Sequence, residues 1–196
     1  MTKQDINRFF FPDEWNKFIK SIQKSDNLFL YELQFNTGAR FDEVLHTRPM
    51  DFDFERNNLR LWKTKTKAKK GEKVGKPRTI SLSSDFAKKM KKLCSDKKSD
   101  DYLFNVSQVG YNQLMKKKLE KLGIVDFKNF SSHNIRKTHG MYLKALGIDI
   151  AEICTRLGHD YNTYIKHYGS ADVFSEKDMR AIRELLGDLY FRQRRF

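Results

Sequence analysis

The sequence predicts a mainly α-helical α+β domain that carries one small antiparallel β-sheet. Three observations lead there. Apolar residues recur at helical spacing behind residues that start helices, only two short segments have β character, and the length suits one core. The chain has 196 residues, 39% of them hydrophobic and 16 of them Phe, which is enough for one globular domain and too little for two large ones.

In order along the chain, Pro12 followed by two acids starts a helix in FFFPDEWNKFIKSIQKSDN, with Trp15, Phe18, Ile19 and Ile22 at core spacing. Residues 28–36, LFLYELQFN, read as a second apolar helix ending at Thr37-Gly38. Glycine there permits a tight reversal, which presents Arg40 at the start of the next short helix, FDEVLHT. Residues 58–61 and 78–82 read as paired strands with Leu59, Leu61, Ile80 and Leu82 inward. Between them runs a lysine-dense loop, WKTKTKAKKGEKVGKPR.

Ser83-Ser84-Asp85 starts a helix whose stripe is Phe86, Met90 and Leu93. Residues 110–122 form a basic amphipathic helix closed by Gly123, with Lys116 and Lys117 among its cations. Ser131 or Ser132 caps a helix bearing His133 and Arg136, and residues 148–156 make a short helix with Ile150 and Ile153 inward. The last helix spans 175–190, with Met179, Ile182, Leu185, Leu186 and Leu189 on one side, ahead of the basic tail FRQRRF.

A formal net charge of +14 and a pI near 9.7 point to a polyanionic partner, although a very basic housekeeping protein fits charge alone. Cys94 and Cys154 are too few for a disulfide framework or a zinc site, so a reducing interior is expected. No apolar run approaches the roughly 20 residues of a membrane span, and no signal peptide opens the chain. Membrane insertion and secretion are not expected.

The chemistry concentrates in SSHNIRKTHGMYLKALGIDIAEICTRLGHDYNTYIKHYG, residues 131–169. His133 and Arg136 are three residues apart and leave one helix face, so an imidazole and a guanidinium overlook the same point. A guanidinium fork suits phosphate oxygens, and an imidazole donates a hydrogen bond or carries a proton near neutral pH. His159 follows in LGH, behind a Gly158 that ends a helix, and Tyr168 comes nine residues later as a candidate nucleophile. Tyr161 and Tyr164 are its rivals. His46, His139 and His167 read as surface or structural residues. Arg40 taken alone reads as a surface arginine paired with Asp42 or Glu43, and the lysines as a solvated face.

HNIRKTHG, then LGH, then a tyrosine at that spacing resembles the second half of the active-site signature of the tyrosine recombinases, the phage-integrase family. Thr37-Gly38-Ala39-Arg40 with Glu43 supplies the first half. The resemblance implies the tyrosine recombinase catalytic-domain fold. It implies a site-specific recombinase that cleaves and rejoins DNA through a 3′-phosphotyrosyl bond, with no metal, nucleotide or other cofactor. Arg40, Lys65, His133, Arg136, His159 and Tyr168 are then catalytic, with Tyr168 the nucleophile and Glu43 orienting Arg40.

In the family a hairpin lysine protonates the leaving 5′ oxygen. Lys65 is the best match by register, and Lys63 and Lys67 stay open. Lys63, Lys67, Lys69, Lys70, Lys116 and Lys117 are the expected contacts to double-stranded DNA. A homo-oligomer on DNA, dimer or tetramer, is implied, with a monomer when free. The location implied is cytoplasmic and nucleoid-associated, in a prokaryote or its virus.

Residues 1–174 are expected to be the catalytic domain, with its hairpin at about 58–82. Residues 175–196 form a terminal helix and tail, either exchanged between protomers or folded back. The N-terminal core-binding domain of full-length recombinases is not expected here. Two other readings stand beside this one: a type IB topoisomerase-like nicking and closing enzyme, and an inactive DNA-binding accessory protein.

Overall fold

The computed structural model describes residues 8–62, 77–168 and 173–189. Its first helix, α1 (Pro12–Lys20), starts where Glu14 accepts the Phe11 N–H at 2.9 Å. The second, α2 (Ser25–Thr37), is buried along its whole second half, from Leu33 to Thr37, and forms the centre of the molecule. Against it packs α6 (Ser132–Ala145), and aromatic rings fill the space around the pair. Trp15 stacks on Phe35 with centroids 4.3 Å apart, Phe10 meets Phe130 at 4.6 Å, and Tyr31 meets Tyr111 at 4.2 Å.

The remaining helices are α3 (Phe41–Leu45), α4 (Ser84–Cys94), α5 (Gln108–Lys121), α7 (Ile150–Leu157), α8 (Tyr161–Tyr168) and α9 (Glu176–Leu186). Asp149 caps α7 through the Ala151 and Glu152 N–H groups, so that helix starts two residues later than its apolar spacing suggests. The last helix stops at Leu186, where Gly187 takes φ +58°. It packs on α1 of the same chain, burying Ile182 and Leu186.

Strands β1 (Phe52–Asp53), β2 (Asn58–Leu61) and β3 (Arg78–Ser81) form an antiparallel sheet in that order. The register pairs Leu59 with Ile80, which turns both inward with Leu61, while Arg60 and Thr79 face out. Leu82 lies just past β3, still buried, with its N–H bonded to the Asn57 carbonyl at 2.7 Å. Strand β1 has no sequence period because it is two residues long. A turn holds it in place, with Asp53 Oδ1 accepting the N–H groups of Glu55 and Arg56.

The turn after α2 directs the chain toward the site. Gly38 has φ +63°, and a Cβ there would stand 2.6 Å from His139 Cδ2 and 2.6 Å from Leu157 Cδ2. Gly38→Ala combines left-handed strain with overpacking, so it should lower unfolding free energy by about 2–4 kcal/mol. Urea denaturation monitored by circular dichroism measures this. A change within about 0.5 kcal/mol, the range of ordinary surface substitutions, would contradict the packing described.

Candidate active site

Arg40 is the N-cap residue of α3, and a carboxylate one turn on holds it. Its backbone N–H donates to Glu43 Oε2 at 2.7 Å, and its guanidinium donates to Glu43 Oε1 at 3.2 Å and to the Gly158 carbonyl at 3.4 Å. The Glu43 side chain is only 1% exposed. Arg78, from β3, reaches the same carboxylate with both terminal nitrogens at 2.6 Å, and its Nε donates to the Arg156 carbonyl at 3.0 Å. Burial pushes the Glu43 carboxyl up, but the hydrogen bonds and charge of Arg78, with the Arg40 N–H, outweigh it and hold it below the ordinary value.

Arg136 enters from α6 and is 1% exposed. Its Nη1 donates to the Gly38 carbonyl at 2.9 Å and its Nη2 to the Leu157 carbonyl. Its Nε is buried with no hydrogen-bond partner among the described residues. Burial and then the charge of Arg40 bring Arg136 down to about 10, so it stays a cation at neutral pH.

One turn before it on α6, His133 is held below its ordinary value by desolvation and then by Arg136. His159 follows Gly158, whose φ of +62° ends α7 and turns the chain toward α8. Burial, then Arg136 and Arg40, push His159 down to about 3, which leaves a neutral ring with one nitrogen to donate and one to accept.

Tyr168 closes the group from the end of α8. It is 1% exposed, its ring stacks on Tyr164 at 5.3 Å, and it lies 6.0 Å from the His159 ring. Lys144 Nζ donates to its backbone carbonyl at 2.7 Å. The ring rests on Gly140, where a Cβ would come within 2.5 Å of Tyr168 Cε1. Burial pushes the hydroxyl up to about 12, against the charges of Arg136 and Arg40. Tyr164 is buried as well, but the groups acting on it after burial are Cys154 and Tyr161, not the guanidiniums.

The structure therefore brings Arg40, Glu43, His133, Arg136, His159 and Tyr168 into one neighbourhood. Lys116 and Lys117 lie on α5, Lys117 on its exposed side. The N-terminal end of α5 adjoins α6, where Asn112 Oδ1 accepts the Ser132 N–H at 2.8 Å. Lys63, Lys65, Lys67, Lys69 and Lys70 lie outside the described residues. His139 is structural: fully buried, it accepts from Arg156 Nε at 2.8 Å.

Arg78 and Gly140 escaped the sequence reading. Strand alternation carried a signal for Arg78, because residues 78 and 80 share a face and Ile80 points inward. Among the described residues, no group of three or more His, Cys, Asp or Glu is placed to hold a metal ion. No helix among them is long and apolar enough to cross a membrane.

The phage integrase family model matches residues 3–173. Tyrosine recombinase XerA of Saccharolobus solfataricus is 24% identical over 143 residues, spanning 73% of this chain and 45% of the relative. A probable integrase/recombinase, YoeC of Bacillus subtilis, is 24% identical over 183 residues, spanning 90% of this chain and 92% of the relative. This chain thus covers under half of one relative and nearly all of the other. Among solved structures, XerA recombinase superposes with TM-score 0.63 at 18% identity, over 90% of this chain and 64% of that one. The Tn1549 transposon integrase in complex with circular intermediate DNA superposes with TM-score 0.66 at 16% identity, over 92% and 67%.

Arg78→Met leaves a buried carboxylate without its bidentate partner, so unfolding free energy at pH 7 should fall by about 3–5 kcal/mol. In the wild type the folded Glu43 value lies below the unfolded one. Its contribution is present above the unfolded value and is lost as pH falls through the folded one. In the variant burial prevails and the carboxyl protonates more readily. The stability gap between the two proteins should therefore narrow from pH 7 toward pH 4 in urea denaturation, and a gap independent of pH would contradict the brace.

Proposed function

The chain belongs to the phage integrase family, and from that premise we propose that it is a site-specific DNA recombinase working through a 3′-phosphotyrosyl intermediate. The observation that carries the reading is electrostatic. Tyr168 lies 6.0 Å from the His159 ring and its hydroxyl is acted on by Arg136 and Arg40, whereas the groups acting on Tyr164 after burial are Cys154 and Tyr161, and Tyr161 is exposed. The names of the two relatives, a tyrosine recombinase and a probable integrase/recombinase, support the same class. So do structurally similar proteins described with DNA, such as the Tn1549 integrase and XerH bound to its difH substrate.

In the proposed step the Tyr168 oxygen attacks a backbone phosphorus. The new bond is Tyr168 Oη to phosphorus, and the bond that breaks joins phosphorus to the 5′ oxygen. That oxygen leaves as a hydroxyl with a proton from the hairpin lysine, assigned to Lys65. The phenolic proton passes to a neutral imidazole, His133 or His159. A 5′ hydroxyl from a second strand then attacks the phosphotyrosine and reverses the bond changes, so no net hydrolysis occurs.

Negative charge grows on the non-bridging oxygens as the transition state forms, and Arg40 and Arg136 stabilise it there. Glu43 orients Arg40 without facing the phosphate, since Arg78 occupies both of its oxygens. Side chains do all of this charge work, with no metal or nucleotide. A net charge of +14, with Lys63, Lys67, Lys69, Lys70, Lys116 and Lys117 as backbone contacts, suits binding of duplex DNA as a dimer or tetramer.

The test is covalent capture on nicked suicide duplexes with a randomised sequence pool. Tyr168→Phe should abolish the adduct and leave DNA affinity within roughly threefold, because phosphate contacts dominate binding. Arg136→Ala should slow capture by about 100- to 1000-fold, as expected for a group acting on developing charge. An adduct formed by the Tyr168→Phe protein would overturn the assignment. Relaxation of supercoiled plasmid without any strand exchange would identify a nicking and closing enzyme instead.

A further inference from the structure

His167 occupies the last turn of α8, one residue before Tyr168, and is only partly exposed. Its ring centroid lies 6.1 Å from that of His133, 6.5 Å from that of His159 and 6.4 Å from that of Tyr168. The imidazole thus faces two rings of the site that reach it from different elements. Position on the helix explains this, since consecutive residues leave an α-helix about 100° apart. Tyr168 turns in onto Gly140, and His167 lies near His133 of α6 and His159 of the α7–α8 turn.

The two imidazoles it faces sit among positive charges. Besides His167, Arg136, Lys137 and Arg40 act on His133, and Arg136, Arg40 and His133 act on His159. The helix of His167 adds Lys166 and Tyr168, and the Asp160 carboxylate stands at the far end of α8. A proton on His167 acts unfavourably on both other imidazoles. Such a cluster favours one more proton when an anion enters to offset it.

We propose that His167 is a third imidazole of the phosphate pocket and that it gains a proton as a DNA phosphate occupies that pocket. This rests on the strand-cleaving reading for the identity of the anion, and on the ring geometry for the coupling. Strand cleavage then depends on pH in a way that His133 and His159 alone do not produce. Both of those imidazoles are held below their ordinary values, chiefly by burial.

The probe is sulfate, which keeps its charge between pH 5 and pH 8. Histidine Cε1–H resonances are followed by NMR titration with and without saturating sulfate, and His167→Gln identifies the His167 signal. The titration midpoint of His167 should rise by about 0.5–1 pH unit with sulfate. By linkage, sulfate should bind wild-type protein about three- to tenfold more tightly at pH 6 than at pH 8, with that dependence flattened in His167→Gln. Covalent capture of nicked DNA by the variant should fall further behind wild type as pH drops from 8 to 6.

An unmoved midpoint, or a variant deficit that is the same at every pH, would overturn the role of His167 while leaving the recombinase reading intact. A clear sulfate-induced shift in a protein that forms no DNA adduct at any pH would support the anion pocket and overturn the recombinase reading instead.

Discussion

Arg136 holds two backbone carbonyls with one guanidinium, that of Gly38 and that of Leu157. The first belongs to the turn that delivers Arg40, and the second precedes the Gly158-His159 turn. A planar fork of donors on one helix therefore sets the distance between two loops that are far apart in sequence. Its Nε edge is buried with no hydrogen-bond partner among the described residues. The loops, and the side chains they carry, take their positions from this contact.

Bringing Arg136, Arg40 and Arg78 together away from water is unfavourable unless something offsets it. Glu43 does so. It lies beneath the surface between Arg40 and Arg78, and accepts from the Arg40 backbone as well. The histidines contribute by staying uncharged, since a neutral imidazole adds nothing to the repulsion and still offers a donor and an acceptor. Tyr168 has the converse problem, because burial raises its hydroxyl and the same guanidiniums lower it. A cationic pocket is thus the physical requirement for using a buried phenol as a nucleophile at neutral pH.

Much of this was legible in the residues themselves. Capping serines, Pro12 and the apolar spacing gave the long helices, and Thr37-Gly38-Ala39-Arg40 marked the turn because only a residue without Cβ fits where His139 and Leu157 approach. Strand β1 was not legible, since two residues have no period and depend on the Asp53 turn. Helix α8 was hidden too. Its residues are polar or aromatic over most of their length, and its start depends on Asp160 accepting the Thr163 N–H. The bidentate contact of Arg78 with Glu43 spans 35 positions and depends on how the sheet sits against α3, which local pattern does not encode. Likewise, the placement of His167 beside two other imidazoles follows from the packing of α8 against α6 and α7.

The central claim is that the phenol of Tyr168, and not another tyrosine, meets a backbone phosphorus. Duplexes with 5′-bridging phosphorothiolates trap a covalent intermediate irreversibly, and trypsin then separates the candidates. Cleavage after Arg156, Lys166 and Lys177 puts Tyr161 and Tyr164 in residues 157–166 and leaves Tyr168 the sole tyrosine of residues 167–177. Mass spectrometry should find the nucleotide adduct on the peptide 167–177. An adduct on 157–166, or on any other peptide, would contradict the account.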